Sequence, residues 1–277
     1  MNVTRSVLAS WLLAVVIPAQ AGQAPKPAPD QVEYDKLVAE WTAAMKTYTE
    51  ANKQLMASEE YKKARAEKDT AKARELMASV SRPDGKAFGT RALELADKNA
   101  GDDGLRFLVY AAANFNDKDT SKAIAERVLK NYLKSPKLGD LLEHGMALSR
   151  ALGAEEGDAL LERVKAESPH ALPKAWAMYW QGQSIQQGAR LKKDATAEEK
   201  AENEAKVAKA DALFAAAGTL AQGTEHADRI GAPQFEKERL QVGMEVPDIV
   251  GEDVDGVPFK LSDYRGKVVM IDYWGFW

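Results

Sequence analysis

Cysteine is absent from the 277 residues, and histidine occurs only three times. Without a thiol, the chain as written can form no disulfide, no thiolate metal site and no thiol nucleophile. His144, His170 and His226 lie far apart, and none has a metal-ligating residue three or four positions further along. We therefore expect these histidines at surface or helix-cap positions, and we expect no metal site and no cofactor.

The chain also has no excess of basic residues. Its formal net charge is -4, which offers no basic surface for nucleic acid, so we predict no nucleic-acid partner. A phosphate-binding Gly-x-x-x-x-Gly-Lys-Ser/Thr loop and a Gly-x-Ser-x-Gly nucleophile elbow are both missing. Gly251 and Gly256 have the glycine spacing of the phosphate loop, but Val257 follows them, and a hairpin explains them better. The motifs support neither a nucleotide enzyme nor a hydrolase.

The N-terminal residues have the features of a targeting segment in the usual order. Arg5 supplies a positive start, Val7 to Ile17 form an apolar core, and Ala19-Gln20-Ala21 has the small-x-small pattern of a cleavage site. This core is well short of the roughly 20 residues that span a bilayer, so no stable membrane span is predicted. We predict a signal peptide over residues 1–21, cleaved after Ala21, and export to the periplasm or the extracellular space. An uncleaved anchor or a buried helix is the alternative.

A proline-rich linker is predicted over residues 22–31, followed by an all-helical domain over residues 32–241. Apolar residues recur at helical spacing in the first helix, and aromatic residues in such a stripe indicate packing rather than a ligand site. The stripe comprises Tyr34, Val38, Trp41, Met45, Tyr48 and Leu55, with the polar Asn52 between the last two. The charged stretch from Ser58 to Ala73 predicts a solvated helical arm that folds back on this helix.

Turn and cap residues divide the remainder of this domain into shorter helices. Five helices are predicted by range: 88–99, 105–114, 138–152 with Gly153 as its C-cap, 155–167 and 171–191. Another is capped by Asp119 or Thr120 and ends before Ser135-Pro136. Two more follow, one from Thr196 to about Leu220 and a short one that begins at Pro233 and runs to Leu240. Short turns between such helices predict a stack of helical hairpins with tetratricopeptide-like spacing, although no clean repeat period is present. The predicted fold class is therefore mainly α.

The pattern changes between Leu240 and Met244, where a second domain over residues 242–277 is predicted. Asp253-Val254-Asp255-Gly256 has the composition of a hairpin turn between short strands. The apolar run from Val268 to Tyr273 predicts a strand buried on both faces in a parallel sheet.

Four short sequence motifs occur in a recognisable order: Gly243 to Asp248, Asp253 to Gly256, Leu261 to Lys267, and Ile271 to Trp277. Together they resemble the start of an exported thioredoxin-like redoxin, within the superfamily of alkyl hydroperoxide reductase and thiol-specific antioxidant proteins. The Trp-Gly-Phe-Trp ending favours the thiol-disulfide oxidoreductase branch over the true peroxiredoxins. The resemblance implies an incomplete α/β thioredoxin-like fold after the helical domain.

The same resemblance implies where the chemistry lies. In this family a Cys-x-x-Cys motif follows the strand at the start of a helix, where the helix dipole favours the thiolate. That position falls immediately after Trp277, so no catalytic residue is present within the chain as written. Asp272 corresponds to a buried acid that assists proton transfer, and Trp274 and Trp277 correspond to aromatics beside the active-site loop. A strand-end carboxylate and core aromatics are the alternative interpretation.

Two functions follow as hypotheses. The first is an exported redoxin whose helical domain is a scaffold or a docking surface for a protein partner or a thiol/disulfide substrate. We expect a UGA selenocysteine codon after Trp277, with frameshift or deliberate truncation as alternatives. The second hypothesis is a non-enzymatic helical-repeat interaction protein with a vestigial redoxin tail. In either case we predict a poorly packed segment from Met244 to Trp277.

Overall fold

Helices make up most of the described structure, a computed structural model that describes residues 28–99, 101–115, 117–191 and 194–272. The helices are α1 (Pro29–Ala57), α2 (Glu59–Ala66), α3 (Thr70–Ala78), α4 (Gly85–Lys98), α5 (Asp102–Asn114), α6 (Lys118–Arg127), α7 (Leu138–Leu142), α8 (Gly145–Leu152), α9 (Ala154–Glu167), α10 (Ala171–Gly188), α11 (Ala197–Ala221) and α12 (Ala227–Arg239). One π-helical turn, Val128–Tyr132, directly continues α6. The prediction of a mainly α protein is confirmed.

The first helix begins at Pro29, slightly before the predicted start at Val32. Proline suits the first turn of a helix, because the N–H that it lacks has no acceptor there. Leu37 and Trp41 are buried, and the Trp41 ring lies 5.0 Å from that of Phe88 and 4.9 Å from that of Phe115. The predicted stripe therefore packs on the body of the protein. Leu37 is more buried than Trp41 but was not predicted as part of this stripe. The predicted signal peptide lies outside the described residues.

The charged arm that the sequence predicts as helical consists of two helices, α2 and α3. Lys68 has a left-handed backbone with φ of 57°, and it separates α2 from α3. Asp69 then caps α3 by accepting a hydrogen bond from the Lys72 N–H at 2.9 Å. Ala64 and Ala73 are the buried residues of these two helices, so the arm has little apolar surface to bury.

Two further predicted boundaries are wrong. The cap of α6 is Asp117 rather than Asp119 or Thr120. The Asp117 carboxylate accepts a hydrogen bond from the Thr120 N–H at 2.9 Å. The predicted helix over residues 138–152 is divided into α7 and α8. Trp180 Nε1 donates to the Leu142 carbonyl at 2.7 Å and so occupies an acceptor that a continuous helix would use. The ring packs so closely that a Cβ on Gly145 would lie 2.5 Å from it.

The core is formed by helices that are neighbours in the chain. The pairs α4 with α5, α9 with α10, α10 with α11, and α11 with α12 pack against one another. The largest fully buried side chains include Trp176, Phe107 and Phe214. Gly182 of α10 permits the close approach of α11, because a Cβ there would lie 2.7 Å from the Phe214 ring. We call this part, residues 29–239, the helical body; its arrangement as regular helical hairpins remains a prediction.

The last described part, residues 241–272, is called the C-terminal segment. It contains strands β1 (Val250–Glu252) and β2 (Pro258–Lys260), which pair antiparallel with Gly251 opposite Phe259, followed by a 3₁₀ turn at Leu261–Tyr264. The predicted buried strand from Val268 is not present in residues 268–272, which are exposed and form no ladder. A strand is defined by hydrogen bonds to a neighbour, and the described hairpin does not supply them.

Pro233 was predicted to open a helix, but it lies in the interior of α12. The helix begins earlier, at Ala227, because His226 and the residues before it form a turn that leads into it. The other predicted caps agree with the structure: Gly153 ends α8 with φ of 90°, and Thr196 begins α11 within a capping box.

Candidate functional site

The candidate site suggested by resemblance lies at the end of the C-terminal segment. Asp272 is exposed and is the last described residue. Trp274 and Trp277 lie outside the described residues, so the described structure does not test whether the three side chains come together. Their roles stay predictions. The geometry that can be described is that of the motifs leading to them.

The hairpin turn is built around the Asp253 side chain. One of its carboxylate oxygens accepts from the N–H groups of Asp255 and Val257, both at 2.9 Å. Gly256 completes the turn with φ of 77°, a left-handed conformation that glycine adopts without a Cβ penalty. The predicted Asp-Gly turn is thus present, and it brings β1 and β2 into register.

Asp248 joins two of the four motifs, the one that ends at Asp248 and the one that begins at Leu261. Its carboxylate accepts from the N–H and from the hydroxyl of Ser262, each at 2.8 Å. These hydrogen bonds stabilise the ionised form and hold the pKa of Asp248 below its usual value. The Leu261 N–H donates to the Ile249 carbonyl at 2.9 Å beside this contact. Sequence reasoning missed the pairing, since the partners are separated by 14 positions and no local pattern links them.

A groove of about 450 Å³ lies next to this contact. Its walls are Glu245, Val246, Asp248, Leu261, Ser262, Tyr264, Arg265, Lys267, Val269 and Ile271. Val269 and Ile271 are each 44% exposed, whereas Val268 and Met270 are 104% and 93% exposed. The stretch therefore alternates as a strand does, with one face against the groove and the other in solvent. Arg265 forms an ion pair with Glu245 across the groove.

The three histidines occupy helix N-cap positions, as predicted: His144 precedes α8, His170 precedes α10 and His226 precedes α12. His170 Nε2 lies 3.0 Å from the Lys134 carbonyl oxygen. Burial, with a smaller effect of Arg229, lowers the pKa of His144, and Glu143 opposes this shift. Among the described residues, no group of three or more acidic or histidine side chains could hold a metal ion.

The helical body carries a second groove, of about 400 Å³, between α6 with its π turn and α9. It is mainly apolar and is bounded by charged side chains. Its lining comprises Lys122, Ala125, Glu126, Leu129, Leu152, Glu156, Ala159, Leu160 and Arg163. Such a surface suits an apolar side chain of a protein partner better than a polar substrate. In the part of the chain that is described, no helix is both long and apolar enough to cross a membrane.

Comparison with known proteins finds a local similarity. The chain is 40% identical over 42 residues to the thiol-disulfide oxidoreductase ResA of Bacillus thuringiensis (strain Al Hakam). It is 48% identical over 42 residues to ResA of Geobacillus kaustophilus (strain HTA426), and 42% identical over 41 residues to that of Bacillus subtilis (strain 168). Each match covers 15% of this chain and 23% or 24% of the relative. The chain thus spans about a quarter of the length of these curated relatives.

No family model matches the chain, and no solved structure matches it. The matched stretch relates the chain to thioredoxin-like thiol-disulfide oxidoreductases and leaves most of the helical body without a counterpart.

Proposed function

We propose that residues 242–277 are the N-terminal part of an exported thioredoxin-like domain that catalyses thiol-disulfide exchange. The observation that carries this proposal is the local identity of 40–48% to proteins named thiol-disulfide oxidoreductase. The contact between Asp248 and Ser262 supports it, because it joins two of the four motifs on which the resemblance rests.

The proposed chemistry requires a redox residue after Trp277. A thiolate or selenolate at the start of a helix attacks a substrate disulfide, and one substrate sulfur leaves as a thiolate. The second cysteine of the motif then attacks the mixed disulfide, releasing the reduced substrate and leaving the enzyme oxidised. Asp272 accepts or supplies the proton of the second cysteine in this proposal. An external dithiol restores the reduced enzyme.

Insulin reduction with dithiothreitol as the electron donor tests the proposal. The assay compares the 277-residue chain with a chain extended through the codons after Trp277, with cysteine at any selenocysteine position. The matched control carries serine at the first redox position of the extended chain. We expect turnover in the extended chain alone. A folded extended chain without activity contradicts the proposal.

Export forms a separate part of the proposal and rests on the pattern of residues 1–21. N-terminal sequencing of the product recovered from an expressing bacterium should show Gly22 as the first residue. Retention of Met1 in a product that stays in the cytoplasm contradicts export without affecting the proposed chemistry.

The apolar groove between α6 and α9 favours a second function, a helical interaction protein. A probe for it is an amphipathic peptide with leucines at positions i, i+4 and i+7, the spacing that helix-in-groove binding uses. Ala159→Glu places a charge in the groove, whereas Ala166→Glu makes the same change at an exposed position of α9 that does not line it. Binding to the native protein that Ala159→Glu abolishes and Ala166→Glu retains supports this function. Equal binding to both variants contradicts it.

A further inference from the structure

Helix α12 contains a proline near its middle and leads into the C-terminal segment. Pro233 lacks the N–H group that would donate to the Arg229 carbonyl one turn earlier. A proline in a helix interior removes this hydrogen bond and also crowds the preceding turn, so the helix is weakest at this point. The two halves of α12 on either side of Pro233 are held very differently.

The first half is fixed on the helical body. Ile230 is fully buried. The Arg229 guanidinium donates to Glu143 at 2.8 Å and lies 5.0 Å from the centre of the Trp176 ring. The His226 ring, at the start of the helix, lies 5.4 Å from the same tryptophan. An apolar anchor and a cation over an aromatic ring therefore secure residues 227–230.

The second half has no such anchor. From Phe235 to Leu240 every residue is exposed, and the apolar side chains of Phe235 and Leu240 are each 48% exposed. An ion pair between Lys237 and Asp211 ties this half to α11. The Lys237 and Asp211 side chains are 55% and 24% exposed, and a single, partly exposed pair of this kind contributes little and is screened by salt. A helical piece of this length is not stable without packing.

We propose that Pro233 is a hinge about which residues 234–240 detach from α11 and swing the C-terminal segment relative to the helical body. Residues 227–232 stay in place during this motion, held by Ile230 and Arg229. The ion pair of Lys237 with Asp211 is the tether, so the closed position is favoured at low salt. The hinge does not depend on the chemistry of the C-terminal segment.

The absence of cysteine makes the motion directly measurable, because introduced cysteines are the sole sites for spin labels. One label at Ala216→Cys on α11 is paired with a second at Arg239→Cys, beyond the hinge. The matched control pairs Ala216→Cys with Asp228→Cys, before the hinge. The side chains of the three labelled positions and of Lys237 in the tether are all exposed, so substitutions there should retain folding.

Electron–electron distance measurements on the full chain should give a broad distribution for the Arg239 pair and a narrow one for the Asp228 pair. Pro233→Ala restores the missing N–H donor and should narrow the Arg239 distribution. Lys237→Gln should broaden the Arg239 distribution further without changing that of the control pair. Salt at 0.5 M should have the same effect, because it shortens the electrostatic screening length to roughly 4 Å. Two equally narrow distributions, or a breadth that Pro233→Ala leaves unchanged, overturn the hinge.

Hydrogen exchange provides a second readout without labels. Amides of residues 236–240 should exchange at least about tenfold faster than those of residues 230–232, since local opening governs exchange. Gly231→Ala improves helix propensity in open space but leaves the Pro233 defect, so it should slow the first half without removing this contrast. Uniform protection along α12 contradicts the proposal.

Discussion

The helical body and the C-terminal segment differ in burial far more than in apolar content. Leu105, Phe107 and Leu108 of α5 are almost fully buried, whereas the consecutive apolar residues 268–271 of the C-terminal segment are all exposed. None of residues 241–272 is buried. Apolar side chains form a core only where a second layer of structure covers them. The helices supply that layer to one another, and the two-stranded hairpin has none among the described residues.

The largest expected effect separates the two regions by side-chain deletion. Phe107→Ala should lower the free energy of unfolding by about 3–5 kcal/mol, because it removes a fully buried ring and leaves a cavity. Met270→Ala should change it by less than about 0.5 kcal/mol, since that side chain is exposed. Urea unfolding followed by circular dichroism measures both. A comparable loss in Met270→Ala would break the comparison.

A smaller effect is expected where two helices meet closely. Gly182→Ala places a Cβ 2.7 Å from the Phe214 ring and should destabilise the helical body by about 1–3 kcal/mol through overpacking. Gly231→Ala is the matched control, because its Cβ meets nothing within 4 Å. The control should stabilise α12 by up to about 1 kcal/mol from helix propensity. Thermal melts of the two variants should therefore shift in opposite directions.

The helical body should also respond to pH through His144. Burial lowers the pKa of this histidine in the folded protein, below its usual value of about 6.5. The unfolded chain therefore binds the proton first, and stability falls as the pH drops from about 6.5 through the folded pKa. Above that range His144 contributes no pH dependence. His144→Gln should flatten this part of a urea-unfolding pH profile; an unchanged slope contradicts the assignment.

The smallest expected effect lies in the C-terminal segment. Asp248→Asn removes a charged acceptor from Ser262 and should speed exchange of the Ser262 amide proton, while global unfolding stays unchanged. In the native protein, the Ser262 amide shift should titrate with a pKa below the usual aspartate value, following Asp248. The Asp253→Asn variant, which affects the neighbouring turn, tests whether the response is specific to residue 248.

Local signals account for what could be predicted of the fold. The helical periodicity around Trp41, the glycine stop at Gly153, the cap at Thr196 and the turn at Gly256 all depend on residues within a few positions, and all are present. The division between α7 and α8 was not predicted, because it depends on a distant contact. Trp180, far along the chain, divides α7 from α8 by binding the Leu142 carbonyl.

The candidate site divides in the same way. The four motifs can be recognised in the sequence, but the contact of Asp248 with Ser262 that joins two of them is visible only in the structure. Asp272 was assigned by motif position, and its exposure could not be deduced from the apolar run before it. An apolar run predicts that a surface should be covered, and it carries no information about which element covers it.

By itself, the sequence determined that the protein is mainly helical, that a hairpin turn follows Asp253, that no thiol is present and that its motifs resemble those of a redoxin. These properties follow from residue chemistry and from interactions over one or two turns. The tertiary structure alone decided which apolar residues are buried, where α7 and α8 separate, and that Pro233 lies within α12 with an anchored half before it and an exposed half after it. Burial depends on packing between elements far apart in the chain, and no local pattern contains that information.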